Sequence, residues 1–396
     1  MSVIKGIQEL AAKYFDQTVA CRRHLHQYPE LSFNEIETSN YVASQLDQLG
    51  ITYKRGIGGH GLVGEIQGES DNGKVTALRA DMDALPIQET NEVSYKSQNS
   101  GVMHACGHDV HTSSLLGCAR ILSKIRSRFG GTVKLIFQPA EERLPGGASL
   151  MIKDGVLLNP EPRSIFGQHV HPPLETGKVG FRPGIYMASA DEIFLTIKGK
   201  GGHAALPHDT IDPLVILSNV ILGLQGIVSR NANPTIPTVL SFGKVNSDGG
   251  ATNIIPDRIM LEGTFRTLDE DWRKRAHELI RKTATSIALG MGGTAEIDIK
   301  VGYPCLTNNE MLTQKAMSAA INYLGPENVV ELPVRLTAED FAYYTLHTDA
   351  CFYRLGTGNA EKGITSPVHT SSFDVDEDCL EVGSGLMSYL AIQELT

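Results

Sequence analysis

The sequence has only six cysteines in 396 residues, at 21, 106, 118, 305, 351 and 379, and their spacing suggests no pairing. A chain this long needs no disulfide framework, and scattered cysteines fit a reducing compartment. Basic residues are outnumbered, 35 against 45 acidic, for a formal charge of -10, and no cluster of Lys and Arg stands out. Nucleic acid is therefore not expected as a partner, because phosphate binding calls for clustered cations. No apolar stretch is read as approaching the length of a membrane-spanning helix, so no membrane partner is expected. The opening "MSVIKGIQELAAKYFDQ" is an amphipathic helical pattern with charges throughout. It lacks the apolar centre and small-residue cleavage site of a signal peptide, and the expectation is a cytoplasmic protein. Internal repeats and low-complexity segments are also missing.

What remains is ordinary for a globular enzyme: 41 % hydrophobic and 20 % charged residues. The length exceeds what one core usually supports, which predicts two domains. In the first part, "KVTALRADMDALP", "GTVKLIFQPAEE" and "RSIFGQHVHP" are apolar runs ending in pairs of aspartates, glutamates and histidines. Helical patterns such as "TSSLLGCARILSKI" lie between them. That alternation predicts an α/β fold, with a parallel or mixed sheet covered on both faces. Sites in such sheets lie at the carboxyl ends of strands, where Asp81, Asp83, Glu141, Glu142, His169 and His171 are expected. From about residue 187 the order becomes β-α-β-β-α-β, the ferredoxin-like arrangement. We read a small α+β domain, residues 187–301, inserted into a catalytic domain made of 1–186 and 302–396.

The stretch "MHACGHDVH" concentrates the chemistry. If residues 104–108 are extended, His104, Cys106 and His108 project on one face, since strand side chains alternate. Thiolate and imidazole both suit zinc-like ions. Spacing alone does not choose among these side chains and His111. For Cys106, metal ligation is favoured over a buried inert thiol, and that over a nucleophile. "CGHD" is too local to form a triad, whose members are normally spatial rather than sequential neighbours. A disulfide is not expected in a reducing compartment. "QPAEE" could be no more than a helix start, where carboxylates suit the dipole. Alternatively one glutamate ligates a metal while its neighbour takes a proton from water. His169 in "GQHVHP" and His369 in "SPVHTSSFDVDE" complete a set of N, S and O donors sufficient for two metals.

In order, "RADMDALP", "MHACGHDVHTSSLLG", "FQPAEE", "GKGGHAALPH", "TNIIPD", "GTFRT", "AEDFAYY" and "VHTSSFDVDE" resemble the amidohydrolase branch of the aminoacylase/carboxypeptidase superfamily of dinuclear metallohydrolases. The resemblance spans nearly the whole chain. It implies an α/β/α catalytic domain with a mixed sheet, and an inserted ferredoxin-like lid that dimerises. It further implies a metal-dependent hydrolase of N-acyl amino acids, or alternatively a dipeptidase or carboxypeptidase on the same site. Two divalent ions (Zn, Mn, Co or Ni) would be held by Cys106, His108, Glu142, His169 and His369, with the Cys106 sulfur able to bridge them. Glu141 matches the general base and Asp83 a supporting carboxylate. His203 matches an oxyanion-stabilising histidine that reaches a partner subunit's site, implying a homodimer. Asn253 and Arg266 match contacts to the substrate carboxylate or across to the partner's site. His104, His111 and His171 are not ligand positions in the resemblance. "LTAED" departs from it in having Thr337 and Ala338 where a Gly-Ser pair is common.

Overall fold

The protein is described by a computed structural model covering residues 2–396. Its chain divides into two compact units, one of Met1–Tyr186, Thr307–Val334 and Asp340–Thr396, the other of Met187–Leu306 with Arg335–Glu339.

The first unit is built on an eight-stranded mixed sheet. Its order is Thr52–Ile57, Gly61–Gln67, Gly130–Gln138, Ser70–Asp81, Ser164–Glu175, Asp349–Gly358, Val179–Phe181 and Val329–Glu331. The four strands from Gly130–Gln138 to Asp349–Gly358 run parallel. Thr76 to Asp81 are buried without a break, which an alternating pattern would not give unless both faces of the sheet were covered. Helices Val3–Gln27, His108–Lys124 and Cys379–Leu395 pack on one another, and the latter two on the central strands. Residues 108–122 of the middle helix are all buried, so this is an interior helix rather than an amphipathic surface one.

The second unit carries a four-stranded antiparallel sheet in the order Thr238–Ser247, Arg258–Thr267, Asp191–Lys198, Thr294–Val301. In chain order, helix Pro213–Gly226 lies between Asp191–Lys198 and Thr238–Ser247, and helix Glu270–Gly290 between Arg258–Thr267 and Thr294–Val301, which is the ferredoxin-like order. One expectation is corrected here. The helix Pro213–Asn231 is long and apolar enough, by length and composition, to cross a membrane. Hydropathy does not see where its side chains go: Ile216, Leu217, Val220, Leu224 and Ile227 belong to the core of this unit.

Candidate metal centre

Strand ends deliver the acidic residues. Ser70–Asp81 ends on Asp81 with Asp83 two residues beyond, and Gly130–Gln138 runs out just before Ala140, Glu141 and Glu142. His169 lies inside its strand, Ser164–Glu175, and past the stretch Ser164–Gly167 that pairs with Ser70–Asp81. On its other side His169 is still paired, with Arg354 of Asp349–Gly358.

Residues 104–108 are not extended, so alternation is not what gathers the "HACGH" side chains. The chain turns through Gly107, at φ 83, and enters the helix at His108. Only glycine adopts that conformation at no cost, and a Cβ here would also lie 2.5 Å from Val170 Cγ2. The turn brings Cys106 and His108 to one centre and leaves His104 elsewhere. Neither ring nitrogen of His104 has a hydrogen-bond partner among the described residues, and its ring lies 6.4 Å from that of His26. Burial pulls its pKa down to about 4, so it stays neutral. Replacing Gly107 by Ala is expected to displace Cys106 and weaken divalent-metal affinity about tenfold in a Co(II) titration. Unchanged affinity would show that the turn tolerates a side chain.

Two donor triplets share the Cys106 sulfur: Cys106, His108 and His169, and Cys106, Glu142 and His369, each within 4.8 Å. The sulfur lies 3.4 Å from His169 Nε2 and 3.3 Å from His369 Nε2. Hydrogen bonds set the tautomers. His169 Nδ1 donates to the Val170 carbonyl at 2.8 Å, and His108 Nδ1 donates to Asp83 Oδ1 at 3.2 Å. His169 therefore presents its Nε2 to the centre, while the buried Nε2 of His108 has no hydrogen-bond partner among the described residues and lies 3.7 Å from Asp81 Oδ2. Glu142 Oε1 lies 3.2 Å from His369 Nε2 without the alignment of a hydrogen bond. Imidazole nitrogens, a carboxylate and a sulfur gathered this closely are donors of the kinds that a divalent cation binds. Burial works against a charged His108, yet Asp81, Asp83 and Glu142 outweigh it and raise its pKa to about 10. A field that would hold an imidazolium also favours a metal ion.

The same surroundings decide among the readings of Cys106. All six cysteines are free. Burial, then the charges of Glu142 and Glu141, push the Cys106 thiol well above its ordinary value. A thiol so placed is a poor nucleophile at neutral pH. Beside a cation it becomes a thiolate ligand instead.

Asp83 organises the centre. Its Oδ1 accepts from His108 Nδ1 and from the Glu141 N–H at 3.0 Å, and its Oδ2 from Ser32 Oγ at 2.6 Å and the Glu142 N–H at 3.0 Å. Burial raises its pKa, but these donors, His108 foremost, hold it below the usual carboxylate range. With both oxygens doubly engaged, Asp83 orients its neighbours and has no lone pair placed to take up a proton. Glu141, adjacent to Glu142 and grouped with it and His108 within 4.8 Å, accepts from the Asp340 N–H at 3.4 Å.

Several supporting residues were not foreseen. His111 is committed at both nitrogens: Nε2 accepts from the Val170 N–H at 2.9 Å, so Nδ1 carries the proton that goes to Asp81 Oδ1 at 2.5 Å. It cannot ligate without losing one of them. His171 lies two residues beyond His169 on the same strand and is in none of the donor groups found among the described residues. Buried Arg79 joins Asp81 (2.6 Å) to Asp340 (2.7 Å), and buried Arg22 joins Asp109 (2.8 Å) to Asp374 (2.8 Å). Arg22 thereby ties the His108 segment to the loop after His369. That loop is also fixed by the His369 N–H, which donates to the Ala105 carbonyl at 2.7 Å. The sequence marks these only as basic residues in apolar runs, with no sign of their partners.

His203, Asn253 and Arg266 belong to the second unit. His203 pairs with Ile254 next to Asn253, whose carbonyl accepts from the Ala204 N–H at 3.0 Å. His203 Nδ1 accepts from the Ala205 N–H at 3.0 Å, so a neutral ring keeps its proton on Nε2 and can donate it. Arg266 stands near the end of Arg258–Thr267 and donates to the Leu336 carbonyl at 3.1 Å.

A mixed sheet whose carboxyl edge gathers two donor triplets around one sulfur, with a further carboxylate alongside, defines a metallopeptidase-like hydrolase. The chain belongs to Peptidase family M20/M25/M40, which residues 77–393 match. It is 39 % identical over 396 residues to thermostable carboxypeptidase 2 of Saccharolobus solfataricus, covering 99 % of each chain. It is 39 % identical over 365 residues to N-acetyl-L-cysteine deacetylase of Bacillus subtilis, covering 92 % of this chain and 85 % of that one. Among solved structures, the YXEP protein of Bacillus subtilis, described as a dinuclear metal binding peptidase of the M20 family, aligns with TM-score 0.84 and 35 % identity over 97 % of this chain and 99 % of that one. The protein is accordingly a hydrolase whose relatives include amidohydrolases, deacetylases and carboxypeptidases.

Proposed function

We propose that the protein is a metal-dependent amidohydrolase that cleaves N-acyl amino acids to a carboxylate and a free amino acid. The observation that carries this reading is the pair of donor triplets sharing Cys106, with Glu141 beside them. Cys106, His108, Glu142, His169 and His369 would hold two divalent ions (Zn, Mn, Co or Ni). All these donors are acceptor-type atoms or an ionisable thiol, as such ions require. When bound, the metals polarise an amide carbonyl and lower the pKa of water. Glu141 receives the proton of the attacking water and passes it to the leaving amine. Asp83 keeps His108, Glu141 and Glu142 in register. His203 supplies Nε2–H to the oxyanion in the partner subunit's site, while Asn253 and Arg266 meet the substrate or the site across the dimer, the guanidinium fork suiting a carboxylate. We read the molecule as a cytoplasmic homodimer assembled through the second unit, where Leu214, Val215 and Leu222 of the long apolar helix stand exposed.

A second reading has support of its own: a carboxypeptidase or dipeptidase on the same site, since a full-length relative at 39 % identity is named a carboxypeptidase. Both reactions cleave an amide next to a free carboxylate. Purified protein of measured metal content, assayed with N-acetyl and N-benzoyl amino acids and with dipeptides, separates them. Hydrolysis of the acyl amino acids that disappears with chelator and returns with a divalent ion is the expected result. Preference for dipeptides selects the second reading. Chelator-resistant hydrolysis overturns both.

A further inference from the structure

We infer that Glu35 is a positioning residue that holds the turn carrying Glu141 and Glu142 in a backbone conformation which Ala140, at its start, does not favour. The inference rests on the roles proposed above for those two glutamates. Glu35 closes the segment "PELSFNE" just before helix Ile36–Gln48, where a carboxylate would ordinarily face solvent at a helix N-terminus. Here it is fully buried. Its Oε1 accepts from the Ala140 N–H at 2.7 Å and from the Phe33 N–H at 3.1 Å.

Both donors are unusual. Ala140 has φ 53 and Phe33 has φ 68, left-handed values at residues that carry a Cβ. That region crowds the Cβ against the following carbonyl and persists only where the surroundings impose it. One carboxylate oxygen thus serves two such residues. Ala140 is itself fully buried, so without Glu35 its N–H would have neither water nor another acceptor.

The consequence is a run of three consecutive N–H groups, at residues 140, 141 and 142, each donating to a buried carboxylate: Glu35 Oε1, Asp83 Oδ1 and Asp83 Oδ2. The Glu35 segment contributes to both supports, because Ser32 also donates to Asp83. Glu35 Oε2 is buried and has no hydrogen-bond partner among the described residues. Only the acceptor oxygen is engaged, so an amide in place of the carboxyl would keep the contact. Burial and then the charge of Asp83 raise the Glu35 carboxyl to about 7, which also favours a form shaped like an amide.

The test compares wild type with Glu35→Gln, Glu35→Leu, Ala140→Gly and the double variant Glu35→Leu/Ala140→Gly. Co(II) affinity is measured by titration, and kcat and KM on whichever acyl amino acid or dipeptide wild type cleaves best. Glu35→Leu is expected to weaken Co(II) binding and lower kcat of the metal-loaded enzyme each by about tenfold, the scale of losing an outer support of a metal site, with a smaller change in KM. Glu35→Gln should keep both near wild type. Adding Ala140→Gly to Glu35→Leu should recover part of the loss, because glycine adopts φ 53 unaided. A purely structural role for Glu35 would lower the melting temperature and leave these two quantities, per folded molecule, unmoved. That result overturns the inference, and so does failure of both the Gln variant and the added Ala140→Gly change to preserve or recover function. Should Glu35→Leu not fold, Glu35→Asp withdraws the oxygen by one methylene and is read the same way. If wild type binds Co(II) but cleaves nothing tested, the proposed activity falls, and Co(II) affinity across the same variants still decides the role of Glu35.

Discussion

A Glu141→Gln variant should retain its divalent metal and lose turnover by on the order of 10³-fold, the usual range for removing a positioned general base. The expectation follows from the division of labour at the "PAEE" turn. Glu142 belongs to a triplet with Cys106 and His369, whereas Glu141 is left beside the centre. The backbone N–H of residue 141, not its side chain, is what Asp83 holds. Gln preserves size and that N–H, so the fold and the ligands should persist while the proton acceptor is gone. Metal content by elemental analysis and kcat on the best substrate are the two readouts. Loss of metal together with activity would make Glu141 a ligand, and undiminished kcat would remove it from the mechanism.

The second large effect is expected at Asp83. Asn at this position offers one acceptor oxygen where the carboxylate offers two, and its NH2 must then face the N–H of Glu141 or of Glu142. A backbone donor cannot turn away as a hydroxyl can, so at least one buried N–H loses its acceptor. That costs about 3 kcal/mol, the upper range for an unsatisfied buried group. Whichever oxygen Asn keeps, either the His108 ring and Glu141 or Glu142 and Ser32 lose their acceptor, so Co(II) affinity should fall about 100-fold, the upper range for an outer support of a metal ligand. Chemical denaturation of the metal-free protein and a Co(II) titration measure the two effects separately. Metal-free stability and affinity both close to wild type would mean that Ser32, His108 and the turn hold their places without Asp83. A selective loss of affinity would confine its role to the metal centre.

These predictions depend unequally on what the sequence makes legible. The strands ending near Asp81 and Gln138 are readable, because runs such as "KVTALRAD" and "TVKLIFQ" are apolar without alternation, as strands covered on both faces must be. The inserted β-α-β-β-α-β order is readable for a related reason: its helices and strands each show their own period. The helix Pro213–Asn231 shows where such reading fails. Its composition alone suits a membrane, and only packing reveals which side chains the second unit's core takes up.

Within the centre, residue type marks out candidate donors, because thiolate, imidazole and carboxylate are the groups that can ligate, and the family resemblance narrows them to Cys106, His108, Glu142, His169 and His369. Type does not say which lone pairs are free. His104 and His111 belong to the same short stretch as Cys106 and His108, yet one has neither ring nitrogen hydrogen-bonded and lies in none of the donor groups found among the described residues, and the other has both nitrogens committed to Asp81 and Val170. Spacing fails here because the chain is turned by Gly107 rather than extended.

By itself, then, the sequence determined the kind of chemistry and the sheet edge that carries it, since these follow from donor type and hydrophobic pattern, both local properties. The tertiary structure alone decided the arrangement. It brought His369 to within 3.3 Å of a sulfur that lies 263 residues earlier in the chain. It also set Glu35 and Asp83 beneath three successive N–H groups of one turn. Such contacts depend on how buried backbone donors find acceptors across long sequence separations, and no local pattern of residues encodes that.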